Sequence, residues 1–475
     1  RSDLRAIQRL DGASTEPVTV RPPPTTTEQS ADEPIAIIGM SGRFPQARDI
    51  GEMWNILAAG EHAVEEIPAD RFDWREIYGD PAADPYKTNG KWCGCIPGVA
   101  EFDPAFFEVT RSEARTMDPR QRHLLQEAWK ALEDAGYGQR HVQSHRIGIF
   151  VGVEEGDYGF VSGDGNVTSN HTGILASRLA YFLNLNGPAM AINTACSSSL
   201  VAAHQAIMSL RTGECDTAIV GGVNFILTPG PYVAMGQAGM LSPDGTCAAF
   251  DTGANGMVPG EAVAVVVLTR LSQAEVERDP IHAVIRAGGV NYDGKTNGIT
   301  APSGVAQTEL LQSVYERYGI DPERLGYIVT HGTGTRLGDP VEINALYDAF
   351  KAFTQKQNFC ALTSTKSNFG HTFAASGLVS LISLVEALKH ETIPASLHCE
   401  EPSDYIQWAE SPFYVNRESR PWPSRPGQPR MGAVSAFGMS GTNAHLVVEE
   451  VGAAADETTD ALPIYLLALS ARTEA

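Results

Sequence analysis

The chain reads as an α/β protein with mostly parallel sheets, and three observations carry that reading. Short apolar runs of the kind buried on both faces recur along its length, separated by segments with helical spacing. A strand-helix-strand rhythm appears in both halves, with no short-period repeat. Finally, 43% of the 475 residues are hydrophobic and only 19% are charged, below the roughly 25% of average proteins, so a sizeable core is available. That length suits two or three average domains, or one large duplicated one.

Residues 1–33 hold Arg21-Pro22-Pro23-Pro24-Thr25-Thr26-Thr27 and little apolar periodicity, the composition of an extended linker. Order begins with a strand at 34–40, and further buried-strand runs lie at 147–152, 189–192 and 218–223. Leu200, Ala203, Ile207 and Leu210 recur at helical spacing after the third run, with Gly213 placed to cap the helix. Comparable strand runs follow at 262–268, 283–288 and 327–330, and 372–390 reads as a long apolar helix. Residues 452–460 form an Ala/Asp/Glu/Thr spacer, and 462–469 an apolar segment. The expected division is a linker at 1–33, halves at 34–275 and 276–450, and a flanking linker at 451–475.

The 57 acidic against 35 basic residues give a net charge of −22, which argues against bulk binding to nucleic acid or anionic membranes. The longest apolar runs are too short for a bilayer and no signal peptide opens the chain, so a cytoplasmic protein is expected. Seven cysteines are too few for a disulfide framework. Cys93 and Cys95 form a Cys-x-Cys without a second ligand pair at zinc spacing, so no metal is expected, and Cys215, Cys247, Cys360 and Cys399 read as packing residues. The glycine-rich segments lack phosphate-loop spacing, and no nucleotide cofactor is implied.

The chemistry concentrates in three places. Asn193-Thr194-Ala195-Cys196-Ser197-Ser198-Ser199-Leu200 sets a cysteine at a strand-to-helix turn, where the helix N-terminus favours its thiolate. Taken alone, such a cysteine more often fills a strand end. Two histidine loops weigh against that: His331-Gly332-Thr333-Gly334-Thr335 after a buried strand, and Lys366-Ser367-Asn368-Phe369-Gly370-His371 before the long helix. Both histidines fall at strand-to-helix junctions, where α/β sheets collect chemistry.

Together these residues resemble the Cys-His-His triad of β-ketoacyl synthases, in particular the ketosynthase domains of modular polyketide synthases. Further matches are the strand at 34–40, Asp118-Pro119-Arg120-Gln121-Arg122, and Phe437-Gly438-Met439-Ser440-Gly441-Thr442-Asn443-Ala444-His445. The resemblance implies the thiolase-like fold, duplicated halves in a five-layer αβαβα sandwich, with Cys196 from the first half and both histidines from the second.

It implies roles as well. Cys196 would carry the acyl chain, His331 and His371 would donate to the malonyl thioester carbonyl, and the backbone N–H groups of Cys196 and Met439 would form the oxyanion hole. Lys366 and Glu342 would pair to organise the histidine loops, Thr333 and Thr335 would bind the phosphopantetheine arm, and Asn443 would belong to the floor of the site. As bare side chains, the two threonines suit a turn equally well, and the Lys366–Glu342 couple a plain ion pair. The implied partners are acyl carrier protein, neighbouring polyketide synthase domains and a second copy in a homodimer. No cofactor is implied beyond the carrier's phosphopantetheine.

The segments 256–261, 293–299 and 411–416 are similar to the trans-acyltransferase branch. Two positions depart from the family: Met439 stands at a gatekeeper position that is often Phe in fatty-acid synthases, and Phe373 replaces a commonly polar residue, so both are expected to shape the acyl pocket. The same triad could serve conjugate addition of malonyl units to unsaturated chains, whereas some family members that only relay or gate chains without elongation lack the cysteine or a histidine, and all three residues are present here. A cysteine hydrolase would need one histidine and an orienting amide or acid, leaving the Lys366–His371 loop unexplained. A condensing enzyme taking CoA primers usually has a different partner in place of His371.

Overall fold

The computed structural model describes residues 32–163, 167–424 and 427–452. The expected proline-rich linker and the apolar tail segment lie outside the described residues.

Five strands build the first half: β1 (Ile35–Arg43), β2 (Ile147–Val153), β3 (Ala189–Ile192), β4 (Thr217–Asn224) and β5 (Ala262–Arg270). The second half has β6 (Ala283–Tyr292), β7 (Leu325–Val329), β8 (Cys360–Thr363), an added edge β9 (Phe413–Val415), β10 (Met431–Phe437) and β11 (Thr442–Glu449). Across the first half the strands run β1-β5-β4-β2-β3, and across the second β6-β11-β10-β7-β8-β9. Apart from β9, both halves therefore place their first, fifth, fourth, second and third strands side by side. Directions repeat too, with β2 parallel to β3 and β4, and β7 parallel to β8 and β10. A short antiparallel ladder between the starts of β1 and β6, with Ile35 opposite Ile285 and Ile37 opposite Ala283, joins the halves.

Helices explain why nearly every strand residue is apolar. After the third strand of each half comes a buried helix, α4 (Ser198–Arg211) in the first and α9 (Ser376–Lys389) in the second. These two touch each other and strands of both halves, forming the middle layer. Outside the first half lie α1 (Pro119–Asp134), α2 (Gln139–Ser144), α3 (Ile174–Leu183) and α5 (Leu271–Glu277). Outside the second half lie α6 (Gly304–Tyr318) and α7 (Gly338–Phe350), and the one-turn α8 (Lys366–Phe369) precedes α9. Alternate residues of β2 show the result: Phe150 joins the central core with Leu200 and Leu378, whereas Ile149 and Val151 join the outer core with Leu124. A third core backs the second half through Ile328, Leu310 and Ile343. One core between the two halves of the sheet and one behind each half make the αβαβα sandwich of the thiolase-like fold. A strand covered on both faces gains no advantage from a polar residue, hence the unbroken apolar runs.

Two local expectations change. The helix expected from residue 372 begins at Ser376, after a one-turn 3-10 segment Phe373–Ala375 whose first residue has φ 43°. Cys93 and Cys95, in a chain expected to hold no disulfide framework, are joined in a disulfide, while Cys215, Cys247, Cys360 and Cys399 are free and buried. Among the described residues, no helix is long and apolar enough to cross a membrane.

Candidate active site

The cysteine loop leaves the carboxyl end of β3 and turns sharply at Ala195, which sits in the left-handed region at φ 55°. Such a conformation costs a non-glycine residue of the order of 1 kcal/mol or more, and local bonds hold it in place. The Asn193 side chain accepts from Ala195 N–H at 3.1 Å, and the Ser198 hydroxyl accepts from Thr194 N–H at 2.9 Å. Cys196 therefore precedes the first turn of α4 and is only 6% exposed.

Residues from the second half close around this loop. The Ser376 hydroxyl donates to the Cys196 carbonyl at 3.0 Å, and Leu378 N–H donates to the Ser199 hydroxyl at 3.1 Å, tying the start of α9 to the start of α4. The turn between β10 and β11 arrives from the other side. A Cβ at Gly438 would lie 2.2 Å from the Thr194 carbonyl oxygen, so only glycine permits this approach. It brings the backbone N–H of Met439 to the Cys196 sulfur, beside the N–H of Cys196 itself. Both expected backbone donors thus converge on one atom. The Met439 side chain points to the surface, 48% exposed.

The electrostatics of the sulfur differ from the sequence expectation. Burial pushes the Cys196 thiol up to about 12, the Glu154 charge pushes the same way, and the two N–H groups and the Lys366 charge pull it down. Desolvation outweighs the helix terminus, so the resting group is a neutral thiol. Glu154 lies one residue beyond β2, and burial raises its carboxyl to about 7. One of its oxygens lacks a hydrogen-bond partner among the described residues. Nothing in the sequence marked this residue; the signal available was its place at the carboxyl end of a buried strand.

His331 follows β7 by two residues, and Glu342 on α7 fixes its loop. The Glu342 carboxylate accepts from the backbone N–H of His331 at 2.7 Å and of Gly332 at 2.8 Å. Lys366 is buried nearby, its pKa lowered by desolvation and supported by the Glu342 charge, with Cys196 contributing in the same direction. The Lys366–Glu342 pairing implied by resemblance is thus long-range electrostatics combined with backbone capture. Asp339, which the sequence reading passed over, does the same one turn earlier, accepting from Phe250, Thr333 and Gly334 N–H. Burial raises it to about 6. Its signal was a carboxylate at the start of α7, beside a Gly-Thr-Gly-Thr turn full of unpaired N–H groups. Thr333 and Thr335 lie in that turn with their hydroxyls 3.1 Å apart, and Thr335 also accepts from Gly338 N–H.

His371 is not at a direct strand-to-helix junction: α8 stands between it and β8. Its backbone N–H donates to the Val258 carbonyl at 2.6 Å, and its ring lies 5.4 Å from that of His331, nearly perpendicular. Phe373 stacks on His371 with centroids 4.8 Å apart, and Phe373 N–H donates to Nδ1 at 3.3 Å. Because Nδ1 accepts, the neutral ring carries its proton on Nε2. Both histidines are held well below their ordinary pKa, first by burial and then by the Lys366 charge, so both rings are neutral. Phe373, expected in the acyl pocket, packs on the His371 ring and against the small core of Cys247, Met257 and Val258. Asn443 is fully buried and donates to Asn291 and Asp293, bracing the loop beyond β6.

A neutral thiol with two N–H donors at its sulfur, and two neutral imidazoles that feel the same buried Lys366 charge as that sulfur, are equipment for acyl transfer and for stabilising an enolate. Residues 32–274 match the Beta-ketoacyl synthase N-terminal domain, 282–400 the Beta-ketoacyl synthase C-terminal domain, and 402–475 the Ketoacyl-synthetase C-terminal extension. The chain belongs to the β-ketoacyl synthase family of carbon–carbon bond-forming acyltransferases.

Within the family it is similar to the ketosynthase domains of polyketide synthases. It is 54% identical over 421 residues to polyketide synthase ThaG of Burkholderia thailandensis, covering 88% of this chain and 7% of that protein. It is 48% identical over 439 residues to polyketide synthase PksM of Bacillus subtilis, covering 91% and 10%. The chain thus spans a tenth or less of these relatives. The ketosynthase from module 6 of the bacillaene synthase of Bacillus subtilis superposes with a TM-score of 0.84 at 46% identity, over 88% of this chain and 72% of that one. The oxazolomycin ketosynthase domain OzmH KS7 of Streptomyces albus superposes at 0.85 with 39% identity, over 89% and 74%.

Proposed function

We propose that the chain takes an acyl group from the phosphopantetheine of acyl carrier protein onto Cys196 and extends it by decarboxylative Claisen condensation with malonyl-acyl carrier protein. The observation that carries this is the convergence of the Met439 and Cys196 N–H groups on a buried sulfur that feels the same Lys366 charge as two neutral, buried histidines. In the first step the Cys196 sulfur bonds to the thioester carbonyl carbon, whose oxygen becomes an anion held by those two N–H groups. The carbon–sulfur bond to phosphopantetheine breaks, and the leaving thiolate takes the proton released by Cys196.

The malonyl thioester then loses carbon dioxide, and its carbonyl oxygen becomes an enolate that accepts from His331 and His371. For His371 the donor is Nε2–H, fixed by the bond that Nδ1 accepts from Phe373. The enolate carbon attacks the acyl carbonyl on Cys196, the carbon–sulfur bond breaks, and the sulfur leaves as a thiolate that takes a proton from solvent. Glu342 and Lys366 position the histidine loops, while Thr333 and Thr335 face the pantetheine arm and Met439 lines its entry. No bound cofactor enters this scheme.

The relatives' place in multidomain synthases supports neighbouring domains as partners, and the Bacillus matches support the trans-acyltransferase branch. A cytoplasmic homodimer completes the reading: β3 is an outer edge strand with Ala189 and Met190 exposed, and a two-fold axis there would remove the unpaired edge.

The test is intact-protein mass spectrometry with an acyl-pantetheine thioester, followed by malonyl carrier protein. Cys196→Ala should not load. His331→Ala and His371→Ala should load but lose carbon dioxide release, each by about 2.7–4 kcal/mol of barrier, as for deletion of an oxyanion donor. Loading of the Cys196→Ala chain, or decarboxylation at the parent rate in both histidine variants, would refute the roles.

A further inference from the structure

A second cluster of ligand-type side chains lies on the outer face of the first half. His141 sits on α2, His145 closes that helix four residues later, and Glu277 ends α5 opposite them. Glu277 Oε2 is 3.4 Å from His141 Nε2 and 3.2 Å from His145 Nε2. All three donor atoms lie within 4.8 Å of one another. A tetrahedral zinc with bonds of about 2.0–2.1 Å sets ligand-to-ligand edges of about 3.3 Å, so the two imidazole–carboxylate distances are already those of a site.

The hydrogen bonds around the rings point the same way. His145 Nδ1 is 3.0 Å from the His141 carbonyl oxygen, which can only accept, and 3.1 Å from the Ser144 hydroxyl, which itself donates to that carbonyl, so Nδ1 carries a proton. Nε2 is then the nitrogen that faces the carboxylate, and an imidazole whose other nitrogen donates to a backbone carbonyl is the usual arrangement of a metal ligand. The two imidazoles stack in parallel at 4.6 Å, and Tyr137 stacks on His141 at 4.0 Å while its hydroxyl donates to Asp279, which holds the ring face in place. The three side chains are 36%, 15% and 27% exposed, leaving room for water as a fourth ligand.

We propose that His141, His145 and Glu277 bind a borderline divalent transition ion, zinc foremost, which fastens α2 to α5. Two imidazoles disfavour magnesium and calcium, which take oxygen ligands. The role is structural. His145 leads into the amino end of β2, whereas the Cys196 loop lies beyond the carboxyl end of its parallel neighbour β3, about 20 Å away along seven strand residues. The sequence expectation of no metal rested on the cysteines; the third ligand here comes 132 residues after His145, beyond any spacing motif.

Zinc binding is measured by calorimetry and equilibrium dialysis on the Cys196→Ala chain, which lacks the competing reactive thiol, alongside His145→Ala and Glu277→Gln made in that background. Expected are one zinc per chain, a melting temperature raised by zinc, and affinity at least about tenfold weaker in each variant, the smaller loss known for disturbing even an outer-shell partner. Cobalt in place of zinc should give the visible spectrum of a tetrahedral site in the parent alone. Variants that retain parent affinity would place the zinc elsewhere and overturn the proposal. So would a parent chain that retains no zinc on dialysis.

Discussion

Glu342 offers the sharpest separation of loop positioning from acyl transfer. Its carboxylate is 3% exposed and accepts two backbone N–H groups, at 2.7 and 2.8 Å, from the loop that carries His331. Glu342→Ala would leave both donors buried without a partner, at about 1–3 kcal/mol each, or about 2–6 kcal/mol in all. Glu342→Gln keeps one acceptor oxygen and turns an amide N–H₂ toward the other donor, so about half that cost is expected. It also removes the anion that supports the buried Lys366.

The glutamine variant should therefore unfold at lower urea concentration and hold His331 less firmly. With about 1.4 kcal/mol per factor of ten, the part of that loss felt at the transition state corresponds to about a ten- to hundredfold slower release of carbon dioxide from malonyl carrier protein. Acyl loading of Cys196 should change far less, because none of the bonds that shape the cysteine loop involves Glu342. The two rates are read on one sample by mass spectrometry and carbon dioxide evolution. Parent-like decarboxylation with an unchanged unfolding midpoint would show that the Glu342 bonds do not position His331; loss of loading in step with decarboxylation would show that the two functions are not separable here.

Three further outcomes follow from the same geometry. Gly438→Ala would drive a Cβ to 2.2 Å from the Thr194 carbonyl oxygen, and the resulting shift of the Met439 N–H should slow loading with a stability loss of about 1–3 kcal/mol; loading at the parent rate would contradict it. Met439→Phe should reduce loading of long or branched chains more than short ones, since a thioether adapts to irregular substrates; equal effects across a chain-length series would remove the gatekeeper role. Acid should destabilise the fold, because burial pushes His445 down to about 3 and His123 and His204 to about 4. These groups are neutral when folded and protonate near 6.5 when unfolded, so their stability is complete above about pH 6.5 and is lost as pH falls toward 3–4, by several kcal/mol at about 1.4 kcal/mol per unit. A melting temperature that stays level from about pH 7 to about pH 5 would refute this.

The sequence by itself determined the α/β class and the strand runs, and it singled out Cys196, His331 and His371. Each is a local property. A strand covered on both faces shows as a continuous apolar run, and Cys196, His331 and His371 stand in motifs whose spacing survives without neighbours. What only the tertiary structure decided is long-range. The Thr194–Gly438 approach, the Ser376 bond to Cys196 and the Glu342 capture of the His331 loop join residues whose separation in the chain carries no periodicity. Glu154 and Asp339 were silent for the same reason, being ordinary carboxylates until folding strips their water. The state of Cys196 shows the limit most directly. Its place before a helix argued for a thiolate, yet the thiol is held neutral up to about 12, because desolvation is set by everything packed around the sulfur and exceeds the pull of one helix end.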